Sequence, residues 1–150
     1  MDKELIEKRK AELGKFVSGS FSVIVDFADK LGITDPHKVL MDINCLEDFM
    51  FTKVHDFMKS QDIKQDDRIW IITRIGYLLG EYFKEKYSGY WTVNENKNSK
   101  QFGHYVIFAK SHKTNAMYPI DVFSAAKEFI DQNPDRNLIA LIKEIEGEIK

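Results

Sequence analysis

From Arg68 to Gly89 the chain is apolar around most of a helical circumference. At 100° per residue, Ile69, Ile71, Ile72, Ile75, Leu78, Leu79 and Phe83 take about two thirds of the turn. Trp70, Thr73, Arg74, Tyr77, Glu81, Lys84 and Glu85 share the remaining arc of roughly 120°. A surface helix needs an apolar stripe of only about 100°. The spacing therefore predicts a helix buried in the middle of the domain and covered by the other elements. Gly76 and Gly80 interrupt it, each roughly 1 kcal/mol worse than alanine in a helix interior. Close approach of a neighbouring backbone is the expected compensation.

Upstream, Leu5, Ile6, Arg9 and Leu13 stack at helical spacing to about Gly14. A second helical run, Phe16, Val17, Phe21, Ile24, Val25, Ala28 and Leu31, stops at Gly32, a suitable residue just past a helix end. The β-branched run Val23-Ile24-Val25 also fits a strand. Thr34-Asp35-Pro36 is a helix start, and apolar residues from Val39 to Met58 recur every three or four positions to about Gln61. That stretch reads as one helix, or as two broken near Asn44. Asp66-Asp67 puts two acids at the start of the central helix, where the macrodipole favours them.

Past Gly89 the period changes to two. Trp91-Thr-Val93 and Phe102 to Ala109 read as strands separated by a polar turn, and Ala116-Met-Tyr118 as a short third strand. Two strands alone would be marginal, so the third, or a covering helix, is needed. Pro119 is expected to start a helix carrying Val122, Phe123, Ala126, Phe129 and Ile130, which Asn133-Pro134-Asp135 breaks. A last helix from about Asn137 has an apolar stripe of Leu138, Leu141, Ile142, Ile145 and Ile149, with Lys143, Glu144, Glu146 and Glu148 outside. The stripe is a candidate for self-association into a homo-oligomer. Together these elements predict a helix-rich α+β single domain over residues 1–150, with a central buried helix and a small antiparallel β-meander of two or three strands.

Composition sharpens this in a few places. With 43% hydrophobic and 31% charged residues the chain can fill a core and cover it, which excludes long disordered stretches. A net charge of -2 argues against nucleic acid and against anionic membrane surfaces. The most apolar run, Ile69 to Phe83, is too short to span a bilayer, and the charged N-terminus lacks the apolar segment of a signal peptide, so a soluble cytoplasmic protein is expected. The lone Cys45 excludes an internal disulfide, and its neighbours Ile43, Leu46 and Phe49 predict a buried, inert thiol.

No phosphate-binding glycine loop, zinc-protease helix or nucleophile elbow is present. His37, His55, His104 and His112 form no pair at helical spacing, so neither a metal site nor a cofactor is indicated. Two surfaces are candidates for binding. Trp70, Tyr77 and Glu81 on the polar side of the central helix, with Trp91 and Tyr105 from the strands, would line a ligand pocket between helix and sheet. Glu81 sits among apolar neighbours and needs a partner, with Arg74 and Lys84 as candidates or a tether to the segment after Gly89. The turns contribute Lys97, Lys100, Lys110, His112 and Lys113, which would form a basic, aromatic edge for an acidic protein partner if the hairpin ends meet.

The motifs Gly76, Gly80-Glu81, Gly89-Tyr-Trp91 and Tyr118-Pro-Ile-Asp-Val-Phe123 resemble those of a loosely defined group of small bacterial domains. These share a glycine-glutamate helix end, a tryptophan strand entry and a proline-led segment ending in a helix. The resemblance covers about the middle third of the chain and has no catalytic residues to transfer. Some domains of this kind are similar to proteins encoded beside bacterial toxins, which implies an immunity-type binding role. The leading expectation is thus a non-catalytic protein that binds another macromolecule. The alternative is a small-ligand binder or enzyme using the pocket between the central helix and the sheet.

Overall fold

A computed structural model describes residues 2–60, 64–111, 113–132 and 137–149. Its first helix, α1 (Asp2–Lys30), runs unbroken through Gly14 and Ser18-Gly19-Ser20, where the sequence suggests two segments. Ile24, Phe27 and Ala28 are buried at helical spacing, so the strand reading of Val23–Val25 does not hold. The helix stops as expected. Gly32 has φ 86°, its N–H donates to the Asp29 carbonyl, and the Ile33 N–H donates to the Ala28 carbonyl. This bond pair closes the last turn around a left-handed residue, which glycine adopts without strain.

A 3-10 turn (Pro36–Leu40) follows. The Asp42 carboxylate then accepts the Cys45 N–H at 2.8 Å and starts α2 (Ile43–Phe49). The break therefore lies at the Asp42 cap, two residues before Asn44. From α2 the helix passes through a π-helical turn (Met50–Val54) into α3 (His55–Ser60). The wide turn lets Phe49, Met50, Val54 and Met58 all reach the core. The expected helix end at Gln61 lies outside the described residues. Cys45 is half-buried rather than buried. Burial and the neighbouring Asp42 carboxylate push its thiol up from the ordinary range, which keeps it a poor nucleophile.

The central helix α4 (Arg68–Lys86) is sheathed over most of its length, with Ile71, Ile75, Leu78, Leu79, Tyr82 and Phe83 all buried. Its first turn departs from the expectation, because Ile69 is 78% exposed. The glycines are explained by aromatic rings and not by a backbone. A Cβ on Gly76 would lie 2.3 Å from the Phe123 ring, and one on Gly80 would lie 2.1 Å from the Trp91 ring. Close backbone approach occurs instead at Gly89, whose Cβ would lie 2.4 Å from the Phe108 carbonyl oxygen.

Strands β1 (Tyr90–Val93), β2 (Tyr105–Lys110) and β3 (Met117–Ile120) form an antiparallel meander in that order. Trp91, Ile107 and Ile120 lie side by side in its register and are buried. Residues 102–104 belong to the preceding turn and not to β2. Pro119 belongs to β3, opposite Phe108, and does not start a helix. The Ser111 N–H donates to the Ala116 carbonyl at 2.8 Å. Antiparallel alternation from that pair makes Phe108–Pro119 a non-hydrogen-bonded pair, so proline's missing donor would have pointed away from β2.

Helix α5 (Val122–Ile130) starts at Asp121, whose carboxylate accepts the Ser124 N–H at 3.0 Å. The predicted break at Asn133-Pro134-Asp135 lies outside the described residues. In α6 (Leu138–Ile149), Leu138, Ile142, Ile145 and Ile149 are buried in the chain's own core, so the stripe considered for self-association is occupied. Glu146, expected outside, turns inward, accepts the Tyr87 hydroxyl and pairs with Lys86 at 3.1 Å. Among the described residues, no helix is long and apolar enough to cross a membrane.

Candidate functional site

Two concavities bear on function, and both use α1 and α4. The larger is an open groove of about 770 Å³ between α1, the 3-10 turn and the last turns of α4. Apolar Phe21 and Val25 from α1 and Leu40 from the turn contribute to its lining, together with Asp26 and Asp29 of α1 and Glu81, Lys84 and Glu85 of α4. Phe21 is 38% exposed, although it lies on the apolar side of α1.

Charge in the groove is unbalanced. Asp26 pairs with Lys30 at 3.3 Å, while Lys84 lies 3.5 Å from Glu81 and 3.8 Å from Glu85. The lining thus holds four carboxylates, Asp26, Asp29, Glu81 and Glu85, against one lysine, Lys84, while Lys30 and Arg74 act on Asp26 from outside it. The Lys84 ammonium also lies 5.7 Å from the centre of the Phe21 ring, covering one edge of the apolar wall.

Glu81 is the most buried of these acids, at 3% exposure. The Trp91 indole N–H donates to its Oε2 at 2.8 Å in a fully buried bond, and Oε1 faces Lys84. A buried carboxylate without partners would cost several kcal/mol. Here one oxygen is held by the sheet and the other by a lysine at the groove, so Glu81 joins the core to the surface. Arg74, the other candidate partner, lies instead over the Trp70 ring with its guanidinium carbon 3.9 Å from the centroid. Burial pulls its pKa below the ordinary range.

The smaller hollow, of about 330 Å³, lies on the other side of Trp91, between α1, α4, β2 and the start of α5. Tyr77 and Tyr105 line it with Phe16, Phe123, Arg9, Thr73, His104 and Asp121. Phe16 is the hub of the aromatic contacts. Its ring stacks on Tyr105 at 4.2 Å and meets Tyr77 at 5.3 Å and Trp91 at 5.2 Å. Burial pushes the Tyr77 hydroxyl up from its usual range.

The five aromatic and acidic candidates thus occupy four places. Tyr77 and Tyr105 meet in the small hollow, Glu81 reaches the groove, and Trp91 is buried between the two. Trp70 stands apart, packed on Phe27 and flanked by Arg74 and Lys30. The basic turn residues do not form one edge. Lys97 and Lys100 lie in the turn before β2, whereas Lys110 ends β2 and Lys113 lies in the turn after it, so the strand separates the two groups. His112 lies outside the described residues.

Groove residues Phe21, Asp26, Asp29 and Leu40 were not singled out in the sequence. The available signal was the aspartate pair beside the apolar face of α1. Three or more metal-ligating side chains do not gather anywhere among the described residues. No family model, curated protein or solved structure matches the chain.

Proposed function

We propose that this protein acts by binding another macromolecule, and that the groove between α1, the 3-10 turn and α4 is where the partner anchors. The observation that carries this reading is the exposed Phe21 wall set beneath a surplus of carboxylates. A lysine or arginine from a partner can lay its aliphatic stem along Phe21, Val25 and Leu40 and place its charge among Asp26, Asp29 and Glu85. Stable interfaces bury about 800 Å² per partner, more than one groove supplies, so it serves as a central anchor within a wider contact. The partner is then a protein with a basic, partly apolar segment. An immunity-type inhibitor acting in a bacterial cytoplasm is the specific form that the resemblance in Gly80-Glu81 and Gly89-Tyr-Trp91 suggests.

The test uses the wild-type chain and the Asp26→Lys/Asp29→Lys variant side by side as immobilised baits in extract of the source cells. Both aspartates are exposed, so the variant keeps its fold, which circular dichroism checks. The expected result is a stoichiometric basic partner on the wild type, with capture reduced about tenfold or more by the variant. Equal capture by both baits, or no stoichiometric partner on the wild type, would refute the proposal.

A further inference from the structure

The small hollow contains a histidine whose orientation is fixed from behind. The Asp121 side chain is only 1% exposed. One of its oxygens caps α5 through the Ser124 N–H, and the other bonds His104 Nδ1. A carboxylate this buried needs a donor at each oxygen. Nδ1 of His104 therefore carries hydrogen, and whenever the ring is neutral Nε2 is its acceptor. The imidazole is 48% exposed, so Nε2 is not consumed by packing.

Arg9 lines the same hollow. One guanidinium nitrogen donates to the carbonyl of Gly103, the residue before His104, at 3.1 Å. The Tyr105 hydroxyl donates to the Arg9 carbonyl at 2.9 Å, and the Arg9 guanidinium lies 5.8 Å from the Tyr105 ring centre. The cation is thereby held at the backbone of the residue before His104 while most of its five donors stay unengaged. Phe16, Tyr77 and Phe123 make the rest of the lining largely aromatic. At about 330 Å³ the hollow matches the lower end of small-molecule sites.

We propose that this hollow is a binding site for a small aromatic 2-hydroxy acid, with its carboxylate on Arg9, the adjacent hydroxyl donating to His104 Nε2, and its ring against Phe16 and Tyr77. Arg9 and His104 both line this hollow, so a single small ligand can address the two. Asp121 acts through His104 and is a positioning residue. The site is separate from the groove on α1 and does not depend on it.

Titration calorimetry with mandelate as probe, and phenylacetate and lactate as controls, tests the assignment on the unmodified chain. Mandelate is expected to bind about fivefold or more tighter than phenylacetate, for one hydrogen bond, and about tenfold tighter than lactate, for the ring. His104→Gln keeps a donor for Asp121 but leaves no ring acceptor facing the hollow, so it should equalise mandelate and phenylacetate. Arg9→Gln should weaken both by about tenfold or more. No saturable binding of mandelate at millimolar concentration overturns the proposal. So does equal affinity for mandelate and phenylacetate, or for mandelate and lactate, in the wild type, or an undiminished preference in a folded His104→Gln protein.

Discussion

Replacing Gly80 by alanine is a sharp test of how α4 meets the sheet. In an isolated helix the change would be favourable by roughly 1 kcal/mol. In this chain the new Cβ would lie 2.1 Å from Trp91 Cζ2 and 2.3 Å from Cη2, against an optimal carbon–carbon separation of about 3.5–4.0 Å. The ring must retreat by more than an ångström, and it has little room to do so. Phe16, Tyr77 and Phe123 pack against it, and its N–H is bonded to buried Glu81. Overpacking typically costs about 1–3 kcal/mol, and losing a hydrogen bond to a charged group about 1.5–3 kcal/mol. Set against the helix gain, the net destabilisation is about 2–4 kcal/mol, or a fall in melting temperature of roughly 5–15 °C for a chain of this size. Gly14→Ala is the control. Nothing lies within 4 Å of a Cβ at Gly14, so that substitution should stabilise by up to about 1 kcal/mol. Urea unfolding followed by circular dichroism and tryptophan fluorescence measures both. A Gly80→Ala protein as stable as the wild type would refute the packing argument, because it would mean that the ring moves freely and that Glu81 does not need it.

Two further outcomes concern the contacts between α4 and α6. Glu146→Ala removes the acceptor shared by the Tyr87 hydroxyl and Lys86 and should cost about 2 kcal/mol once partial exposure is discounted. Glu146→Gln should cost less, and unchanged urea midpoints for both would show that the cluster is not a tie. The second outcome concerns high pH. Burial holds the Tyr82 and Tyr87 hydroxyls above the ordinary range. Burial opposes the charge on Lys86, but its bonds to Tyr82 and Glu146 outweigh this and raise it. The folded chain therefore keeps these protons where the unfolded chain releases them. Stability from this source is fully present below about pH 10 and declines as pH rises through the folded values. Urea midpoints should fall from about pH 10 to 11.5, and a flat profile over that range would contradict the assignment.

Features set by local rules were legible in the sequence. Gly32 ends α1 because its left-handed backbone suits glycine, and the run from Ile71 to Phe83 is buried because its apolar faces leave no dry alternative. Errors arose where two local rules compete. Pro119 serves a helix start and an edge strand equally well, and the choice fell to Asp121, whose side chain caps α5 two residues later. The pairing of His104 with Asp121 spans 17 positions, and that of Arg9 with Gly103 spans 94. No periodicity encodes such contacts: the first needs the start of α5 beside the turn before β2, and the second needs α1 across that turn. The groove is hidden for the same reason, since its walls come from residues 21–29, 36–40 and 81–85.

Pro119 also bears on how the molecule behaves when crowded. A sheet only three strands wide, with Tyr90, Phe108 and Met117 among its outward residues, has the makings of a template for endless lateral growth. A strand approaching from the β3 side would lack a donor at the midpoint of a four-residue rim and could not continue the ladder past it. Exchange of that proline for a threonine would open this flank to fibril formation, while leaving the molecule's own pairing intact.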